Sequence, residues 1–402
     1  MEALILSRGL DTNGQNARYV EAARKWGADS DVLRAFSIGR SDPAGVVGRF
    51  KTAAEKHGGL RIRSASRQVY DYLQFPMDIH WTRQSETLIR QLAEEADIIH
   101  LNNSEVAYRY FRLSKPTLLH HHGSLFRDNP KRLLDIARSK KWLQAVSTID
   151  LQRPNPDVLH WLPSAYDVSE LHEYAKAHRR EPDGRVRIVH CPTNRALKHT
   201  TLLETAVREL QTDGLPVDLV IVEQRPWSES LEQKAKADIV FDQLMFGYGC
   251  NSIEAWCMGI PVVSGADGWT TKRMLSEWDG LPFYEANEKT LKGAIRQMVE
   301  SADLRAEFAA AGHAHVRKYH DEKPALARLA ELYAMAIRKY LTPRIPGKGE
   351  TVTFRRKGNR TIYVGDDPVE FSEGQLRTDD PYVIDRLRTL AKRTSFGIEE
   401  VA

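Results

Sequence analysis

Short apolar runs of strand length alternate with amphipathic stretches of helix length along most of the chain, and this alternation narrows the fold class more than any other feature. Ala3–Ser7 (ALILS) reads as a strand, the polar turn after it holds Gly9 and Gly14, and a helical spacing then runs to Gly27. Asp31–Ser37, Asp97–Leu101, Thr117–His121, WLQAVS and DVLHWLP supply further strands, with helices expected over Glu86–Ala96 and Val106–Leu113. Parallel strands need a crossover between them, usually a helix, so the alternation implies a parallel sheet covered on both faces. The pattern breaks at Ala177–Arg185 (AHRREPDGR), where Pro182 and Gly184 sit among charges, and then restarts. Strands over Val186–Cys191, VDLVIVE, DIVF and Leu281–Tyr284 alternate with helices over Thr200–Gln211 and Glu229–Ala237, and the chain turns helical from Glu288 to about Tyr340. The expected architecture is therefore α/β: two Rossmann-like, doubly wound domains over 1–180 and 181–341, facing a cleft lined by strand C-termini and helix N-termini. Thr342–Glu350 (TPRIPGKGE) sets off residues 342–402 as a linker and small module, with one hairpin in VTFRRKGNRTIYVGDDPVEF and one helix capped by Asp380.

The 58 basic and 54 acidic residues leave a net charge of +4, which suits anionic ligands without marking a nucleic-acid binder. Cys191, Cys250 and Cys257 are too few and too irregularly spaced for a disulfide framework or a zinc site, so a reducing, cytoplasmic setting is expected. No apolar run approaches the ~20 residues of a membrane span, and MEALILSRGL lacks the pattern of a signal peptide.

Four windows carry candidate chemistry. In DQLMFGYGCNSIEAWCMGIPVVSG, from Asp242 to Gly265, glycines approach a helix N-terminus, where bare backbone N–H groups and the helix dipole suit a phosphate. Gly247, Gly249, Cys250 and Asn251 would supply those groups, and Glu254, expected in the first turn, can accept hydrogen bonds from two ribose hydroxyls. A plain strand–loop–helix connection with Glu254 complementing the dipole accounts for the same residues. In HCPTNRALKHT, Arg195 and Lys198 follow a strand and could neutralise a pyrophosphate leaving group, or be solvated loop charges. In LLHHHGSLFRD, His120 and His122 share one strand face and His121 takes the other. No acidic partner suggests a metal there; His122 before Gly123 reads as a cleft residue bonding a sugar hydroxyl, with a structural histidine as the alternative. The last window, around Gly14, is a glycine turn without the GxGxxG spacing.

Together these windows resemble the retaining, nucleotide-sugar-dependent glycosyltransferases of family four, which have the GT-B fold, over about residues 1 to 340. GYGCNSIEAWCMGIPVVS is similar to the family's glycine loop and EAMA.G.PVV signature, HCPTNRALKHT to its H.PTNR..KGT segment, and HHHGS to the HG after a strand of the first domain. The resemblance implies Glu254 on the donor ribose, Arg195 and Lys198 on its diphosphate, and His122 against the transferred sugar. It also implies a nucleotide-diphosphate sugar as co-substrate, with no other cofactor and no metal, because fixed cations take that role. The departures are Phe246, where many members carry a second acid eight positions before the ribose-binding one, His199 in place of a glycine, and a single Gly14 where a pair is common. A non-catalytic GT-B binding or virion-associated protein, and a nucleotide-sugar epimerase or hydrolase, stay open as other readings. VEFSEGQLRTDDPYVIDRLRTL resembles short end modules of bacteriophage virion proteins. On that resemblance the chain is phage-encoded, acts in the host cytoplasm, and has a virion protein or modified DNA as acceptor; an unrelated stabilising appendage fits the tail equally.

Overall fold

The computed structural model describes residues 33–39, 44–66, 79–80, 86–103 and 115–341, with short stretches of 352–401. The strand at Ala3–Ser7, the helix after it, Gly14 and the helix over Val106–Leu113 lie outside the described residues.

Seven strands form the first sheet: β1 Leu33–Gly39, β2 Leu60–Ser66, β3 Ile79–His80, β4 Ile98–Asn102, β5 Thr117–His121, β6 Leu143–Val146 and β7 Leu159–Trp161. They run in the order 3-2-1-4-5-6-7, and each neighbouring pair is parallel. β4 and β5 are buried at every position, which explains why their sequences are nearly continuous apolar runs with histidines instead of an in–out alternation. Helix Glu86–Glu95 turns Ile89, Leu92 and Ala93 onto this sheet at helical spacing.

The second sheet contains β8 Val186–His190, β9 Val217–Ile221, β10 Ile239–Phe241, β11 Phe246–Gly247, β12 Val262–Ala266 and β13 Tyr284–Glu285. β9, β8, β10, β12 and β13 pair in that order and in parallel, and β11 lies antiparallel on β12. Helix Thr200–Thr212 buries Leu203, Ala206, Val207 and Leu210 against it, one apolar stripe at helical spacing.

Each strand order reverses once, between β1 and β4 in the first sheet and between β8 and β10 in the second. Connections leave such a point toward opposite faces, so a crevice opens at the strands' carboxyl ends. Gly39 beside Asn102 marks one crevice, and His190 beside Phe241 the other.

Two helices sit across the sequence order. Val168–His178 packs Val168, Leu171 and Ala175 into one core with Leu231, Ala235 and Trp256 of the second domain. The last long helix, Glu322–Leu341, returns to the first, where Leu329, Leu332, Tyr333 and Ala336 share a core with Ala35, Phe50, Leu118 and Leu143. Tyr166 pairs with Asp321 where the two crossings meet, and His320 Nδ1 lies 2.9 Å from the Ser164 carbonyl. Among the described residues no helix is long and apolar enough to cross a membrane.

The tail departs from the expected single hairpin. Ile362–Val364 and Asp367–Val369 do pair as one, but Val352–Arg356 instead pairs antiparallel with Gln375–Thr378 and Ile398–Val401. Phe354, Ile384, Leu387 and Ile398 make a separate small core there. Apolar residues distant in sequence close this core, which a local pairing rule does not anticipate.

Candidate functional site

The loop after β10 and helix Cys250–Cys257 occupy the switch point of the second sheet. The helix is held rigidly: Ser252 to Cys257 are all buried, and Trp256 packs so tightly on Gly312 that a Cβ there would stand 2.0 Å from its ring. Gly247 enables the approach to this helix. Its φ of +83° is left-handed, and an added Cβ would collide with the Met274 methyl at 2.0 Å. The same residue is buried, and its carbonyl accepts from Gln243 Nε2 at 2.8 Å and Ser264 Oγ at 2.5 Å. It shapes the loop from within.

Asp242 is the hub of this end of the sheet, and the sequence windows did not single it out. Directly after β10 and fully buried, its carboxylate accepts from the Gly249 N–H at 2.8 Å, Ser252 Oγ at 2.7 Å and Lys198 Nζ at 2.6 Å. Gly249 is the helix N-cap and has no side chain to cap with; Asp242 accepts from the N–H of Gly249 and the Ser252 hydroxyl and so anchors the helix start from outside. Burial alone would raise the Asp242 carboxyl, but Lys198, Ser252 and the Gly249 N–H together hold it below the usual aspartate value. Asn251 Nδ2 donates to the Cys191 carbonyl at 2.7 Å and pins the helix start to the end of β8; Cys250 beside it is exposed.

Lys198 reaches this centre, and a Cβ on Gly249 would lie 3.8 Å from its Nζ. Arg195 does not. Its guanidinium donates to Glu223 and Glu204, each at 2.7 Å, on the exposed side of the same loop. The residue between Lys198 and the following helix, His199, has φ +54°, a left-handed backbone that glycine adopts without cost and that histidine holds here under strain.

Glu254 stands in the second turn of its helix, not the first, because the helix begins at Cys250. It is buried, and both its oxygens have protein donors. Oε2 accepts from Lys234 Nζ at 2.5 Å, and Oε1 from Trp227 Nε1 at 2.9 Å and Arg49 Nη2 at 3.4 Å. Burial would lower the Lys234 ammonium, but Glu254, Cys191 and Asp242 more than offset that and raise it. Arg49 comes from the first domain and also lies 4.0 Å over the Tyr166 ring. No local pattern marks Lys234, Trp227 or Arg49; each meets Glu254 only through the fold.

His122 is placed at the carboxyl end of β5, next to the first sheet's switch point. Its Nε2 is 3.1 Å from Asn102 Oδ1, and its ring packs on His120 with centroids 4.0 Å apart. His120 Nδ1 lies 3.3 Å from His100 Nε2, and His100 Nδ1 lies 3.0 Å from the Tyr333 hydroxyl. His121, on the other face as expected, pairs with Gln144. Burial pushes these imidazoles down, to about 3 for His100 and His122, about 4 for His121, and well below the usual range for His120. All four are neutral at neutral pH. Among the described residues no group of three or more His, Cys, Asp or Glu side chains is placed to hold a metal ion.

Phe246, where the resemblance implied an acid, faces a cation from the opposite domain: the Arg127 guanidinium lies 4.2 Å over its ring while also pairing with Asp150. Arg153 pairs with Asp267, and Arg273 Nε donates to Gln152 at 3.1 Å, so the two domains meet through arginines along this edge.

No family model matches the chain, and no curated protein matches its sequence. Solved structures do share its architecture. HepE from Anabaena in complex with UDP superposes with a TM-score of 0.54 at 14% identity, covering 75% of this chain and 100% of that one. The same protein with UDP-glucose gives 0.53, again at 14% identity, with 75% of this chain and 100% of that chain covered. A glycosyltransferase from Rickettsia africae gives 0.52 at 11% identity, over 76% of this chain and 99% of the other. The fold is GT-B. Within a GT-B frame, His122 and the Asp242–Lys198–Gly249 centre stand at the carboxyl ends of its two sheets, one on each domain.

Proposed function

We propose that this GT-B protein transfers a sugar from a nucleotide-diphosphate donor to an acceptor with retention of configuration. The observation that carries the reading is the meeting of Lys198, Gly249 and the first turn of helix Cys250–Cys257 at the second switch point, around the Asp242 carboxylate. Helix N-termini and a fixed ammonium favour a diphosphate, most of all as its charge grows during departure. HepE, similar in fold, has been captured with UDP and with UDP-glucose, which supports the donor class.

In this reading the bond between the sugar's anomeric carbon and the phosphate oxygen breaks while the acceptor oxygen bonds to the same face of that carbon. The acceptor's proton passes to the departing phosphate oxygen, so no side-chain nucleophile is required. Lys198 and the helix N-terminus stabilise the leaving diphosphate, and Arg195 joins them after exchanging Glu204 or Glu223 for phosphate. His122 bonds a hydroxyl of the transferred sugar. Fixed cations fill the role a divalent metal would take. Glu254 binds the ribose by releasing Arg49, the longest of its three contacts and the one from the opposite domain.

A second reading, a GT-B binding protein without turnover, draws on the saturation of Glu254 and on Phe246. One screen separates the two. The purified chain is melted with UDP, GDP, ADP, CDP and their common sugar conjugates, and any ligand that raises the midpoint is then followed for release of free nucleotide. Stabilisation that disappears in Glu254→Ala, with nucleotide release lost in Lys198→Ala, is the result expected of the transferase. Stabilisation without release, under every acceptor tried, would favour the binding protein.

A further inference from the structure

The amide of Asn102 has a readable direction. Its Nδ2 points to the His100 carbonyl at 3.5 Å, and its Oδ1 lies 3.1 Å from His122 Nε2. An amide oxygen cannot donate, so the proton of that contact sits on His122 Nε2, and a neutral imidazole protonated there keeps its lone pair on Nδ1. Asn103, next along the chain, grips the same histidine by its backbone. The His122 N–H donates to Asn103 Oδ1 at 2.7 Å, and Asn103 Nδ2 donates to the His122 carbonyl at 2.9 Å. Asn103 does so from a left-handed backbone, φ +47°, which asparagine tolerates better than most residues. Both amides are buried, and the His120 ring closes a further side of His122.

We infer that Asn102 and Asn103 are positioning residues that hold His122 in one tautomer, with the Nδ1 lone pair as a hydrogen-bond acceptor for a hydroxyl of the sugar in the cleft. The inference rests on the sugar-transfer reading for its substrate, and on the structure alone for the tautomer. Among the described residues the groups that bear on His122 are His100 on β4 and His120 and His121 on β5, while Arg127, on the helix that starts at Gly123, comes within 3.9 Å of where a Cβ on Gly123 would stand. None of these described residues is an acid, and Arg127 is neutralised by Asp150. Among the described residues no neighbour therefore draws a second proton onto the ring, and an imidazolium, which has no lone pair, would be useless as an acceptor.

The decisive measurement is a long-range proton–nitrogen correlation spectrum of the full chain labelled with nitrogen-15 in its histidines, with His122 assigned from His122→Gln. Expected is a ring protonated at Nε2 that does not titrate between about pH 8 and about pH 5. In Asn102→Leu the ring should take up both tautomers. In Asn102→Asp a carboxylate beside Nε2 should bring its titration into that window. A wild-type ring protonated at Nδ1, or one titrating as an ordinary histidine, overturns the inference whether or not the Asn102 variants fold. An Asn102→Asp spectrum identical to wild type overturns it as well. The activity arm is separate: nucleotide-sugar turnover should be flat over this range in the wild type and should fall about tenfold per pH unit on the acid side in Asn102→Asp. Absence of turnover with every nucleotide sugar would defeat the transferase reading, while the spectra would still decide the tautomer.

Discussion

At the carboxyl end of the first sheet the described residues form a cluster of neutral imidazoles and amides that includes His100, His120, His122, Asn102 and Asn103. At the same end of the second sheet they are charged, with Asp242 against Lys198 and Glu254 against Lys234 and Arg49. The neutral set is arranged by the direction of its hydrogen bonds and carries no charge to desolvate, though His120 Nε2 is buried without a partner among the described residues. The charged set is costly to desolvate and stands only while every ion has its partner. One fold thus holds two polar clusters that should fail in different ways: the charged one by losing a partner, the neutral one by gaining a proton.

The sharpest way to break that contrast is Lys234→Met. It leaves Glu254 in the core with its closest ion partner gone, and should cost roughly 3–5 kcal/mol of unfolding free energy in a denaturant titration. A cost near that of an exposed pair would mean Arg49 alone neutralises Glu254. Next comes Lys198→Ala, expected to lower turnover about a hundredfold while weakening donor affinity much less, as separate kinetic and calorimetric measurements would show. Equal losses in both would place Lys198 on the ground-state diphosphate only.

Acid probes the other side of the comparison. The buried histidines have folded values far below the unfolded one, so the unfolded chain binds more protons wherever the pH lies between the two. Stability should therefore be full above about pH 6.5 and fall as pH drops toward about 3, by up to about 1.4 kcal/mol per pH unit for each such imidazole. Asp242 works in a lower window: its depressed value makes its contribution full above the ordinary aspartate value and lost as pH falls from there through the folded value. Replacing His100 by Phe and His120 by Leu should flatten the slope between about pH 6 and about pH 4 in a series of melts; an unchanged slope would assign the acid sensitivity to the other buried histidines, His121, His122, His190, His315 and His320. The smallest effect is expected from Phe246→Leu, which removes the face that Arg127 covers and should cost about 0.5–1 kcal/mol.

The charged centre was only half legible in the sequence. Lys198, Gly249 and Glu254 announce themselves through local motifs. Asp242 stands 44 residues from Lys198, Lys234 stands 20 from Glu254, and Arg49 stands 205 from it, so these partners are set by packing and leave no local period to read. The alternation of strands and helices gave the two-sheet architecture because parallel strands buried on both faces, such as β4, carry it plainly. β2 escaped notice because Arg61 and Arg63 interrupt its apolar residues, and helix Ala44–His57 because Gly45 and Gly48 weaken its propensity. His199 reads as a substitution in a motif, and only its left-handed backbone shows why glycine suits that place.

The return of helix Glu322–Leu341 to the first sheet has a temporal consequence. On the ribosome the strands of the first domain emerge long before Leu329, Leu332, Tyr333 and Ala336, yet those side chains complete one face of its core. His100, whose Nδ1 meets the Tyr333 hydroxyl, likewise lacks that partner until then. The domain made first is therefore finished last, and during synthesis its apolar face is left for the second domain's folding, or for a chaperone, to protect.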